Sequence, residues 1–165
     1  MQTKLARMMM PMNHARTFAS QPVDANSIPW IPLGPGEWFK PLAFLQNDRG
    51  RVLLLKMEPG TLQPRHRHSG EVHGLNLAGS RELIESGAIV GPGDYVYEPA
   101  GNTDSWRAVG DEPLIVHIIA FGSLEYLDAD DNVIRRDDAG SLRRRYESYC
   151  AEQGIELRDL VVTKL

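Results

Sequence analysis

"GTLQPRHRHSGEVHGLNLAG", residues 60–79, is the stretch whose reading decides the fold. It holds three of the chain's five histidines: His66, His68 and His73. On an extended strand, residues two apart point to the same side. If residues 65–69 are extended, His66 and His68 therefore present two imidazoles to one face, a pairing that suits a divalent transition metal. A charged surface loop would use the same residues. The choice depends on whether the flanking chain supplies a frame of strands and further ligands.

Outward from this stretch the chain reads as short β-like segments, at 51–57, 71–77, 81–85, 94–98, 103–108 and 114–121, with a hairpin of 124–127 and 133–135. Between them lie "EPG" (58–60), "AGS" (78–80), "GPG" (91–93), "PAG" (99–101) and "GDEP" (110–113), whose glycines and prolines suit tight turns. Short strands at such regular spacing predict an all-β sandwich or barrel. Ahead of them, "SIPWIPLGPGEWFKPLAF" (27–44) is rich in proline, glycine and tryptophan. Proline lacks a backbone donor, so this segment is expected as an edge strand or extended arm. Trp30, Trp38 and Phe39 need burial, either on the barrel or on a second subunit. After the strands, Leu142, Tyr146, Tyr149 and Cys150 recur at helical spacing, with Gly154 placed as a C-terminal cap. Arg143, Arg144 and Arg145 point in different directions on such a helix and read as a solvated face.

At 165 residues the chain is expected to form one domain. It divides into a flexible tail (1–26), a barrel with its N-terminal arm (27–136), and a C-terminal helix and tail packed on the barrel (137–165). The net charge of −4 offers no attraction for nucleic acid or an anionic membrane. "PLIVHIIAF" (113–121) is too short to span a bilayer and reads as a buried strand. The N-terminal apolar run is too short for a signal peptide, and the single cysteine excludes an internal disulfide, so the cytoplasm is the default compartment.

The two stretches "GTLQPRHRHSGEVHGLNLAG" (60–79) and "GDYVYEPAGNTD" (93–104) resemble the two motifs of the cupin superfamily. The first motif has a glycine, five residues, H-x-H, usually a glutamate, and a strand ending in glycine. The second has a glycine, five residues, P-x-G, two residues and a histidine. The resemblance implies a single-domain cupin barrel, the jelly-roll or double-stranded β-helix, that binds a metal. The wording "RHRHSGEVHGLNLAGSRELIE" and "GPGDYVYEPAGNTDSW" further resembles the 2,4'-dihydroxyacetophenone dioxygenase group of non-haem iron cupins, which use dioxygen to cleave an aromatic hydroxyketone to an aromatic acid and formate. That likeness implies His66 and His68 as Fe(II) ligands and a small aromatic molecule as substrate. Zinc, nickel and manganese remain alternatives.

The chain departs from the motifs twice. Val72 stands where the glutamate is usual, and if it faces inward then Glu71 and His73 face outward. Asp104 replaces the last histidine. Two histidines and a carboxylate form the ligand set of many Fe(II) oxygenases, so Asp104 is read as the third ligand; its bland alternative is a turn cap. His117 is either a core histidine or an extra ligand or supporting partner. Glu98 is either a turn-facing carboxylate or a general base that also holds a ligand histidine. Arg81, Tyr97 and Trp106 either line the substrate pocket or merely pack. A second functional reading, favoured by Asp104, is a metal- or ligand-binding cupin, a sensor or binding module without dioxygen chemistry. The Trp-rich arm and an uncovered barrel edge predict a homodimer.

Overall fold

The computed structural model describes residues 22–162, so the tail expected over 1–26 lies outside the described residues as far as residue 21. The strands in chain order are β1 (Ile31–Gly34), β2 (Glu37–Leu45), β3 (Gly50–Met57), β4 (Leu62–His68), β5 (Val72–Ala78), β6 (Ser80–Leu83), β7 (Ala88–Val90), β8 (Tyr95–Glu98), β9 (Thr103–Val109), β10 (Leu114–Phe121), β11 (Leu124–Leu127) and β12 (Val133–Asp137). Helix α1 (Ala139–Gln153) and the short β13 (Val161–Val162) follow. One sheet has the order β1-β2-β3-β10-β5-β8, with β13 added alongside β2. The other has the order β12-β11-β4-β9-β6-β7. This is the mostly-β, two-sheet architecture of a single-domain cupin.

Alternation along the strands assigns the inner faces. On β3, Arg51, Leu53, Leu55 and Met57 are buried while Val52, Leu54 and Lys56 are half-buried. On β10 the buried residues are Leu114, Val116 and Ala120. The antiparallel register sets Leu114 opposite Met57 and Val116 opposite Leu55, so the two inward sets meet side by side. Phe39 of β2 and Trp106 and Ala108 of β9 join the same core, which both sheets therefore share. Gly79, between β5 and β6, has φ +62°, and a Cβ there would stand 2.6 Å from the Pro113 carbonyl oxygen. Only glycine makes that turn without strain.

The arm follows expectation in β1, which carries Pro32 at the edge of its sheet, and departs from it in β2. β2 is not an edge strand: it lies between β1 and β3. Its Pro41 is accommodated because the register with β3 shifts between Pro41 and Ala43, a bulge at which no ladder donor is required. The arm packs on its own barrel. Phe39 and Phe44 enter the core. The Lys56 ammonium sits 4.9 Å from the Trp30 ring centre and 4.5 Å from that of Trp38.

Helix α1 begins with a capping box: the Asp138 carboxylate accepts from the Ser141 N–H at 2.7 Å, and Ser141 Oγ accepts from the Asp138 N–H at 2.9 Å. Gly154, at φ 65°, closes it. Ala139, Gly140, Leu142, Tyr146 and Cys150 are its buried residues, and the Tyr146 ring lies 6.4 Å from that of Phe44. No helix among the described residues is long and apolar enough to cross a membrane.

Candidate metal centre

The histidine pair lies on β4, between β11 and β9. A register shift between Gln63 and His66 alters the phase of this strand, so Gln63, His66 and His68 are all buried. His66 pairs across the sheet with Asp104 of β9. On the other sheet Val72 of β5 faces inward, directly opposite Glu98 of β8. The carboxylate missing at position 72 is thus supplied one strand away, at position 98. Glu71 and His73 turn outward, as alternation requires; there the His73 ring meets the Tyr95 hydroxyl at 2.6 Å.

These residues form one cluster. Each of His66, His68, Glu98 and Asp104 offers a ligand atom, and the four atoms lie within 4.8 Å of one another. His66 Nε2 is 3.1 Å from His68 Nε2 and 2.9 Å from Asp104 Oδ1, and His68 Nε2 is 2.6 Å from Glu98 Oε2. Neighbouring ligands on an octahedral ion with bonds of about 2.1 Å are about 3 Å apart, against about 3.4 Å for a tetrahedral one. The observed spacings match the octahedral edge more closely.

The electrostatics call for a cation. Glu98 Oε2 and Asp104 Oδ1 are buried, and among the described residues each has only a histidine ring nitrogen beside it, that of His68 and of His66. A carbonyl can only accept, so the 2.7 Å contact of His66 Nδ1 with the Pro64 oxygen places the ring proton on Nδ1. Nε2 is then the ring atom turned to the Asp104 carboxylate, the orientation a metal-ligating histidine takes. Burial by itself lowers the His66 pKa. The hydrogen bond and charge of Asp104, with the Pro64 carbonyl and Glu98, outweigh it and hold the value above the ordinary one. Two carboxylates and two imidazoles with convergent lone pairs fit a divalent ion.

The cluster opens on a cavity of about 80 Å³, whose lining includes His66, His68, Glu98, Arg81 and Trp106. Arg81 and Trp106 are among the lining residues, with the guanidinium carbon 4.8 Å from the Trp106 ring centre. Tyr97 does not line the cavity. It is 51% exposed on the outer face, where its hydroxyl donates to Glu71 at 3.3 Å. His117 is likewise displaced from the expected position. Val116, Ile118 and Ala120 hold the inward phase of β10, which leaves His117 on the outer face between Leu54 and Leu75. It contributes nothing to the cluster. Sequence reading missed Glu37, Arg51 and Gln63 as cavity residues. All three reach it through strand phase and pairing, and no local motif marks them.

Fold and site together define a cupin with a candidate centre of two histidines and two carboxylates. Residues 19–124 match the family model of the ChrR cupin-like domain, and the chain belongs to that family. Among solved structures it is similar to an RmlC-like cupin protein of Ralstonia eutropha (29% identity, TM-score 0.82, covering 88% of this chain and 96% of that one). It is also similar to a cupin-fold protein of the same organism (24%, 0.80, 90% and 96%). An acetylacetone dioxygenase of Acinetobacter johnsonii shares the fold at 14% identity (0.68, 80% and 93%). No curated protein matches the chain.

Proposed function

We propose that this protein is a metal-dependent cupin enzyme: a non-haem Fe(II) dioxygenase that cleaves a carbon–carbon bond of a small hydroxyketone-like substrate. The observation that supports this reading is the buried cluster of His66, His68, Glu98 and Asp104 at the wall of a cavity. Glu98 joins the ligands in this reading instead of acting as a base, because its oxygen stands as near a ring nitrogen as that of Asp104 does. Two carboxylates neutralise a divalent ion, and a ligand set of imidazoles and carboxylates suits iron or manganese. When bound, Fe(II) supplies the one-electron chemistry that dioxygen requires. The chain's residues do the rest. The Pro64 carbonyl orients His66, Phe39, Val72 and Ile118 help keep water out, and Arg81 places a positive charge beside the reacting groups. The likeness to the 2,4'-dihydroxyacetophenone dioxygenase group and the acetylacetone dioxygenase fold support dioxygen chemistry by analogy.

The test is metal content after anaerobic Fe(II) loading of wild type, Asp104→Ala and Glu98→Ala, followed by oxygen uptake with hydroxyketones. One ion per chain is expected in wild type, with affinity lowered at least about tenfold in each variant. Undiminished binding by Glu98→Ala would return Glu98 to a supporting role. A metal-loaded protein that consumes no oxygen with any substrate would leave the alternative, a metal-binding module.

A further inference from the structure

We infer that the cavity's natural ligand is a small hydroxycarboxylate, with Arg81 as the residue that binds its carboxylate. This rests on the metal centre proposed above and differs from that reading on the ligand, an acid in place of a neutral hydroxyketone. Arg81 is 2% exposed and lines the cavity from β6. Its Nε and Nη2 are buried with no acceptor among the described residues, and the guanidinium lies against the face of Trp106. The fold makes room for it: a Cβ on Gly74, across on the opposite sheet, would stand 3.1 Å from Arg81 Nη2. A buried, unpaired guanidinium is costly unless something completes it.

Charge decides what completes it. Glu98 and Asp104 attract Arg81, but both lie in the cluster that a divalent ion would neutralise. With that ion bound they no longer offset Arg81, and the remaining cavity carboxylates are engaged elsewhere: Glu37 is attracted by Arg135 and Arg145, and Asp137 attracts Arg51. Arg51, the other buried arginine of the cavity, is engaged differently: its Nη1 donates to the Gly122 carbonyl at 3.0 Å, and Asp137 attracts it. A carboxylate matches the two-pronged guanidinium. Gln63 supplies the second half of the recognition. Its Nε2 donates to the Tyr126 hydroxyl at 3.3 Å, while its Oε1 is buried without a donor and is free to accept from a ligand hydroxyl. The cavity, at about 80 Å³, is well below the roughly 300–1,000 Å³ of ordinary ligand pockets, which restricts the ligand to a few heavy atoms.

The experiment is calorimetric titration of Mn(II)-loaded protein with glycolate and lactate against the neutral hydroxyacetone, on wild type, Arg81→Gln and Arg81→Lys, with metal content measured for each. Wild type should bind the acids at least about tenfold more tightly than the neutral compound. Arg81→Gln should retain its metal and lose about 10- to 100-fold in acid affinity, the range for a hydrogen bond to a charged group. Arg81→Lys should recover part of that loss. Equal affinity of metal-loaded wild type for acid and neutral compound would overturn the inference and leave the metal centre standing, as would an Arg81→Gln protein that keeps its acid preference. Wild type that takes up no metal would overturn both. Should Arg81→Gln fail to fold, Arg81→Lys decides: acid affinity undiminished from wild type there would overturn the inference.

Discussion

Glu37 shows how a single side chain in this cavity trades stability for position. It enters from β2, and burial raises its pKa above the ordinary carboxylate value, against the attraction of Arg135 and Arg145. A raised acid pKa means that the folded state holds the proton more tightly than the unfolded chain. Stability is therefore lost as pH climbs from the unfolded value through the folded one. Glu37→Gln should raise the melting temperature at pH 7, and the gain should shrink as pH falls towards about 3, where the glutamate is neutral in both states. A gain of equal size at both pH values would show that the charge is not the cause. Val72 and Glu98 teach a related lesson. They face each other on neighbouring strands, so a carboxylate can leave one position and return at the other without moving far in space.

At the scale of elements, strand phase decides which side chains can act. β10 is apolar on both faces: Val116 and Ile118 point inward, while Ile115 and Ile119 share the outer phase with His117. Composition therefore does not reveal which face is the core, and only the pairing with β3 does. His117→Val should leave metal stoichiometry and affinity unchanged in the loading assay and shift stability by no more than about 0.5 kcal/mol. A lost metal site in that variant would mean that β10 is in the opposite phase. β4 makes the complementary point. Its bulge before His66 brings Gln63, His66 and His68 to one side, which strict alternation from Gln63 would forbid.

At the scale of the molecule, the cluster joins the two sheets. His66, His68 and Asp104 belong to the sheet of β4 and β9, and Glu98 to the other. A bound ion would tie one face of the sandwich to its partner. Binding to the folded state alone stabilises by about 2.7 kcal/mol at a hundredfold excess over Kd. For a domain of this size that corresponds to about 5–10 °C in Tm. Calorimetry with and without Mn(II) should show such a rise, reversed by chelator and smaller in Glu98→Ala. An unchanged Tm would show that the four residues do not hold the ion together.

The sequence by itself determined the β class, the cupin motifs, the H-x-H pair, the third ligand candidate at Asp104 and the C-terminal helix. The β class, the H-x-H pair and the helix rest on spacing within one segment, period two or period 3.6; the cupin motifs and the place of Asp104 in them rest on resemblance to a known family. Only the tertiary structure decided that Glu98 stands in for Val72, that His117 and Tyr97 face away, that β2 lies inside its sheet, and that Arg81 and Gln63 reach the cavity without partners. Those facts depend on register and phase between strands far apart in the chain. A slip of one residue would send every side chain to the opposite face, and nothing local in the sequence records which alternative is taken.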